Sequence, residues 1–239
     1  MWRSLVVFVA CLVACGSPGG PAAQVSDAPS SPLEDAGVLS DDGRTPNDAS
    51  MQPDAGPTGG AITCPGPGNP VQTSGACGSE RWPVKTGTDP QAAQLGLVPM
   101  PNTIAALVAL PAAGGGTSRE SPTETTLWAL KNVTLTELKL ETDRDYHLVL
   151  SDGSKTLIAE VPFSACATNS PWLCFMSRSR SEIDAKFTVT TSPQYPAAVV
   201  TVIGFGFFDT LHGQNGVAPN AVELHPILQI CFGKDCIPN

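Results

Sequence analysis

The sequence predicts a mainly β domain that follows a non-globular N-terminal segment. Three observations predict it: five segments of the C-terminal half alternate apolar and polar residues, one charged segment favours a helix, and six cysteines follow residue 60. A chain of 239 residues is long enough for one domain and a tail. The one long apolar run lies at the N-terminus, which excludes a membrane protein with several spans.

The five alternating segments are predicted strands. They are 127–140, 145–150 (DYHLVL), 156–163 (TLIAEVPF), 198–209 (AVVTVIGFGFFD) and 221–230 (AVELHPILQI). The alternation in the first segment changes phase near Thr136 and Glu137, which indicates a β-bulge. Residues 151–154 (SDGS) predict a hairpin turn, and Gly204 and Gly206 predict a bend in the fourth strand.

One convincing helix is predicted between the third and fourth strands, at 177–187 (SRSRSEIDAKF). The order of three strands, a helix and two strands resembles the five-stranded OB barrel over roughly residues 124–230. Another small barrel or a sandwich is the alternative. Residues 78–123 are predicted to form an extended arm with a short helix at 103–110, laid against the barrel.

The N-terminus carries an export signal. Residues 5–14 (LVVFVACLVA) form an apolar run that is too short to span a bilayer but typical of a signal-peptide core. Residues 12–15 (LVAC) resemble a bacterial lipobox, which implies cleavage of signal peptide 1–14 and lipid modification of Cys15. Gly16 rather than Asp follows, and the resemblance then implies an outer-membrane lipoprotein of the cell envelope. An ordinary secretory signal with an incidental cysteine is the alternative.

Residues 15–60 predict a disordered tether between the lipid anchor and a domain at 61–239. Pro, Gly, Ala, Ser and Asp dominate residues 16–60, which hold no aromatic residue and seven acidic residues against Arg44. The domain is also net acidic, as is the whole chain with a net charge of −9. Double-stranded nucleic acid is therefore not an expected partner. The sequence is also poor in the basic and aromatic residues that form the binding groove of single-strand binders.

The six cysteines of the domain predict disulfides, because an exported chain enters an oxidising compartment. Spacing alone leaves the pairing open, and short sequence separation suggests Cys64–Cys77, Cys166–Cys174 and Cys231–Cys236. The alternative, a zinc site, is disfavoured because no C-x-x-C pair occurs.

Three stretches resemble a widespread bacterial family of uncharacterised proteins. They are 81–89 (RWPVKTGTD), 145–150 (DYHLVL), and 207–226 with its elements FFD, HGQ, APN and ELHP. The resemblance implies a shared fold and no particular activity.

Histidines and carboxylates of these stretches are the candidate site residues. The ligand or metal site would draw on His147, Asp209, His212, Glu223 and His225, with Asp143 and Asp145 nearby in sequence. Imidazole and carboxylate together bind divalent metals or exchange protons near neutral pH. The other interpretation is structural: the residues at 147, 223 and 225 alternate with apolar neighbours, so they should point away from the core and be solvated or bonded to loops.

The sequence therefore favours a membrane-anchored envelope lipoprotein whose domain binds a ligand without a cofactor. The expected partners are the lipid bilayer, through Cys15, and a glycan, a peptide or an envelope protein. The alternatives are a metal-dependent hydrolase of phosphodiesters, which would use a divalent metal, and a structural envelope component. No H-E-x-x-H, G-x-S-x-G or Walker pattern supports the hydrolase.

Overall fold

The computed structural model describes residues 60–64, 77–113 and 116–238. The predicted signal peptide at 1–14, the lipidation site Cys15 and the tether, apart from its last residue, lie outside the described residues. Within the described part of the chain, every helix is too short or too polar to cross a bilayer.

Five strands close into the barrel. They are β2 (Leu127–Leu140), β3 (Tyr146–Ser151), β4 (Thr156–Val161), β5 (Ala198–Phe208) and β6 (Val222–Phe232), numbered after a short first strand that belongs to the arm. The order around the sheet is β2-β3-β4-β6-β5, and β2 also pairs with β5, which closes it. β4 and β6 are parallel and the other barrel pairs are antiparallel. Helix α3 (Leu173–Asp184) lies between β4 and β5, so the OB-like order is confirmed.

Strand β2 serves two neighbours because it is long and irregular. Its register with β3 shifts between Leu135 and Glu137, where the sequence predicts the bulge. Its register with β5 shifts between Leu130 and Val133. On β5, a side chain at Gly206 would collide with the backbone carbonyl of Thr123, so the close approach requires glycine there.

The barrel encloses one apolar core, and α3 contributes to it. Trp172 stacks on Phe205 with ring centroids 4.4 Å apart. Phe175, Met176 and Ile183 of α3 are buried as well. The helix therefore begins four residues before its predicted start, because the apolar residues that precede the charged segment pack inward.

The arm before the barrel has more regular structure than an extended chain. It contains helix α1 (Trp82–Thr86), strand β1 (Met100–Asn102), which pairs in parallel with β2, and helix α2 (Ile104–Val108) inside the predicted 103–110 segment. Arg81 donates to both carboxylate oxygens of Glu124 at 2.7 Å. Glu124 is fully buried and also accepts from the backbone N–H of Phe208, so it fixes the arm to the barrel.

Three disulfides are present among the described cysteines. They are Cys64–Cys174, Cys77–Cys166 and Cys231–Cys236. The expected pairs Cys64–Cys77 and Cys166–Cys174 are therefore wrong. Short separation is a poor guide here because the chain before the arm lies against α3 and against the 3-10 turn Ser164–Cys166 that follows β4. Cys64 and Cys77 therefore each pair with a cysteine about 90 to 110 residues away.

The two disulfides of the arm should stabilise the domain more than the C-terminal one. Replacing Cys77 and Cys166 by Ser should lower the free energy of unfolding by about 2–4 kcal/mol, because the bond closes a long loop of the unfolded chain. The matched change at Cys231 and Cys236, which lie five residues apart, should cost less. Urea unfolding of both variants and the parent checks this, and an equal or larger loss at the C-terminal pair would contradict it.

Candidate functional site

Polar side chains from three neighbouring strands meet on the outer face of the barrel. His147 of β3 pairs directly with Glu160 of β4, and β6 beside them carries Glu223 and His225. Their apolar neighbours Leu148, Ala159 and Leu224 belong to the core. Because side chains alternate along a strand, the four polar residues lie on the face opposite the core.

This outer face is covered rather than solvated. The exposed fraction is 1% for His147, 3% for Glu223 and 0% for His225. These residues point away from the core as expected, but the expectation that they are solvated is wrong. His147 contacts Glu160 of the neighbouring strand and Glu141 in the loop after β2. His225 contacts Glu160, Glu223 of its own strand and Asp145 in the loop before β3. The cover is the arm, whose helix α1 packs against β6 and buries Lys85.

Five residues form what we call the polar cluster: Asp145, His147, Glu160, Glu223 and His225. Glu160 is its centre, because His147 Nδ1 lies 2.7 Å from its Oε1 and His225 Nδ1 lies 3.2 Å from its Oε2. His225 Nδ1 also lies 3.1 Å from Glu223 Oε1, and its Nε2 lies 3.5 Å from Asp145 Oδ2. Asp145 accepts a hydrogen bond of 2.7 Å from the backbone N–H of Phe163.

The two histidines keep Glu160 ionised. Burial alone would raise the pKa of Glu160, but hydrogen bonds from His147 and His225 hold that pKa well below its ordinary value. Burial would likewise lower the pKa of each histidine. Hydrogen bonds with Asp145, Glu160 and Glu223 instead raise the pKa of His225 well above 6.5, and the hydrogen bond with Glu160 raises the pKa of His147.

The other two carboxyl groups hold protons more readily. Burial raises the pKa of Asp145 to about 6 and the pKa of Glu223 to about 7, although hydrogen bonds with His225 act in the opposite direction. Lys85 stays charged beside them: burial lowers its pKa, but the charges of Glu223, Asp209 and Glu160 raise it above its ordinary value. The cluster thus titrates within the neutral range while Glu160 remains an anion.

A cleft of about 650 Å³ opens beside the cluster. Its charged or ionisable lining residues are Glu80, Lys85, Lys139, Glu141, Asp143, Glu160, Asp209 and His212, and Trp82 lies at its wall. The side chain of Glu160 is 13% exposed, so it belongs to both the cleft and the cluster. Lys85 Nζ lies 3.3 Å from Asp209 Oδ1.

The structure divides the predicted site residues between two places. His147, Glu223 and His225 lie in the polar cluster, with Asp145, while Asp209, His212 and Asp143 line the cleft. Asp209 and His212 come close to Glu80, and their ligand atoms lie within 4.8 Å of one another.

Sequence reasoning missed Glu141 and Glu160. The available signal was the hairpin of β3 and β4, since a register that pairs Ser151 with Thr156 also pairs His147 with Glu160. Together with His147, the two missed carboxylates form another group whose ligand atoms lie within 4.8 Å of one another. Asp145, Glu160 and His225 form a third such group among the described residues.

The free energy of unfolding should fall as pH rises from 5 to 8. Asp145, Glu223 and both histidines have a raised pKa when folded, so folding takes up protons in this window, and stability is lost as pH rises through those values. Glu160 acts in the opposite sense, but only at far lower pH. Each extra proton contributes a slope of about 1.4 kcal/mol per pH unit.

Urea unfolding at several pH values in the presence of a chelator measures this slope. Glu223→Gln should flatten it between pH 5 and 7, because one titrating group is removed. Glu182→Gln, an exposed site on α3, should leave the slope as it is. A parent profile that rises across the window would refute the assignment.

Comparison of the chain with protein-family models, with curated proteins and with solved structures finds no match.

Proposed function

We propose that the chain is a lipid-anchored protein of the cell envelope whose barrel domain binds a small cationic ligand in the cleft. The observation that carries this proposal is the state of Glu160. Two buried histidines hold it as an anion at the point where the cluster meets the cleft. A preorganised negative charge in the lining of a cleft is suited to a ligand that brings a positive charge.

The energetics of the cluster support a binding role. Moving ionised groups out of water is costly, and well-packed apolar side chains often stabilise a fold as well as a buried ion pair does. Yet the cluster places three carboxyl groups and two histidines under the arm, with Asp145 and His225 fully buried. Shifted pKa values and buried charge beside a cleft are typical of functional sites.

The charge of the cleft selects the ligand. Five carboxylates line it against two lysines and His212, so its net charge is negative. No arginine is among the described residues that line it. An anionic ligand such as a phosphodiester would therefore be repelled, whereas a metal ion or the ammonium group of an amine or a peptide side chain would be attracted. The volume lies within the usual range for small-ligand sites.

The same geometry gives little support to acid–base hydrolysis. Glu160 reaches the cleft, but a carboxylate with a strongly lowered pKa is a weak base. Asp145 and Glu223 titrate nearer to neutral pH, yet neither lines the cleft. Binding is therefore the function that these residues support better than catalysis.

The anchor follows from the lipobox-like residues 12–15 and the acidic, proline-rich residues 16–60. In the native bacterial host, Cys15→Ser should abolish incorporation of labelled palmitate and release the protein from the membrane fraction. Cys11→Ser, four residues earlier in the apolar run, is the matched control and should leave both unchanged. Labelled palmitate retained by the Cys15 variant would rule out this anchor.

A cationic probe should stabilise the protein and change the emission of Trp82. At 100 times its dissociation constant, Mn²⁺ or spermidine should add about 2.7 kcal/mol, a rise in Tm of roughly 5–10 °C. Trp82→Phe should remove the fluorescence change and keep the rise in Tm. The neutral sugar N-acetylglucosamine should have neither effect.

Glu160→Gln should abolish the response to the cation, because the ionised carboxylate that lines the cleft beside the cluster is lost. The exposed Glu182→Gln changes the net charge equally and should respond like the parent. Binding of the neutral sugar, or an undiminished cation response in Glu160→Gln, would contradict the proposal.

A further inference from the structure

We propose that the cleft holds a divalent transition-metal ion on Glu141, His147 and Glu160. This inference rests on the proposed function and names its ligand class. Glu141 directly follows β2, His147 lies on β3 and Glu160 lies on β4. The three residues therefore come from consecutive parts of the sheet. Both carboxylates line the cleft, which leaves a path for the ion and room for water to complete its coordination.

The distances between the donor atoms fit one ion. His147 Nδ1 lies 2.7 Å from Glu160 Oε1 and 3.4 Å from Glu141 Oε1, and one donor atom from each residue lies within 4.8 Å of the others. An ion about 2.1 Å from each donor holds adjacent donors about 3.0–3.4 Å apart in octahedral or tetrahedral geometry. Both distances from His147 Nδ1 are close to these values.

The polarity of these atoms also favours a cation. Nδ1 of His147 faces an oxygen of each of two carboxylates, and both oxygens are acceptors. A single proton on Nδ1 points at one of these oxygens, whereas a metal ion coordinates Nδ1 and both oxygens at once. The His147 ring is buried, with 1% of its side chain exposed, so water does not supply the missing hydrogen bond.

A second layer of residues holds Glu160 in place. His225 Nδ1 lies 3.2 Å from Oε2, which leaves Oε1 facing His147. Beyond it, His225 Nε2 lies 3.5 Å from Asp145 Oδ2, and both side chains are fully buried. Carboxylates that bind metals are commonly oriented by such neighbours.

The donor set selects the class of metal. An imidazole with two carboxylates suits Mn²⁺, Fe²⁺ or Zn²⁺, whereas Ca²⁺ and Mg²⁺ prefer sites built from oxygen alone. The rival group in the same cleft, formed by Glu80, Asp209 and His212, is less suited. Glu80 and His212 are exposed and the Asp209 carboxylate is already paired with Lys85.

Lys139 offers a test in which the expected effect is tighter metal binding, an effect that a loss of folding would not produce. Its ammonium lies 3.0 Å from Glu141 Oε1, the same oxygen that faces His147, so it competes with the ion. Lys139→Met keeps the length of the side chain and removes the charge. We expect Mn²⁺ and Zn²⁺ to bind this variant about fivefold more tightly, from the charge repulsion that is removed.

The experiment is calorimetric titration of the full chain, purified in mild detergent and stripped with chelator, against Mn²⁺, Zn²⁺, Ca²⁺ and spermidine. We expect Mn²⁺ and Zn²⁺ to bind the parent and Ca²⁺ to bind far more weakly. Glu160→Gln should weaken metal binding by at least about tenfold, since loss of even an orienting neighbour costs about 10–100-fold. Glu182→Gln should match the parent.

The outcomes separate this inference from the proposed function. Binding of spermidine without binding of either transition metal would overturn the metal site and leave the cationic cleft standing. Binding of neither would overturn both. Metal binding that is lost in His212→Ala but kept in Glu160→Gln would place the ion on the rival group and overturn the assignment, as would weaker binding to Lys139→Met.

Discussion

A single carboxylate that accepts hydrogen bonds from two buried histidines is the constraint on which the site depends. One oxygen of Glu160 accepts a hydrogen bond from His147 and the other accepts one from His225. Strands β3, β4 and β6 must keep their register for both bonds to form. The bonds hold its pKa low and raise those of both histidines. The charge of Glu160 at the cleft is therefore determined by histidines on strands that also form the core.

The arm makes this arrangement possible because it removes water from the outer face of the barrel. The Arg81–Glu124 pair and the Cys77–Cys166 disulfide hold it against the barrel. Without the cover, both histidines would be solvated and their bonds to Glu160 would be weakened by the high dielectric of water. The disulfides, which link the chain before the arm to α3 and to the turn after β4, thus hold this cover in place as well as stabilise the fold.

The barrel could be predicted from sequence because alternation is local. Each strand carries its own period, and the bulge near Thr136 appears as a change of phase within one segment. The burial of the outward-facing residues does not depend on local sequence. The alternation predicts that His147 and Glu223 are solvated, but the arm covers them. Disulfide pairing fails for the same reason, since Cys77 finds its partner across the fold. Candidate histidines were thus identified by residue type, but their carboxylate partners required the register of a hairpin.

The covered face also decides which groups a ligand can reach. Of the five cluster residues, Glu160 alone lines the cleft; the other four are buried beside or behind it. A cation bound as proposed would meet a carboxylate that is already ionised and already oriented, so little reorganisation would oppose binding. The polar groups that are costly to bury on this face of the barrel are therefore the same groups on which the proposed selectivity for positive charge depends.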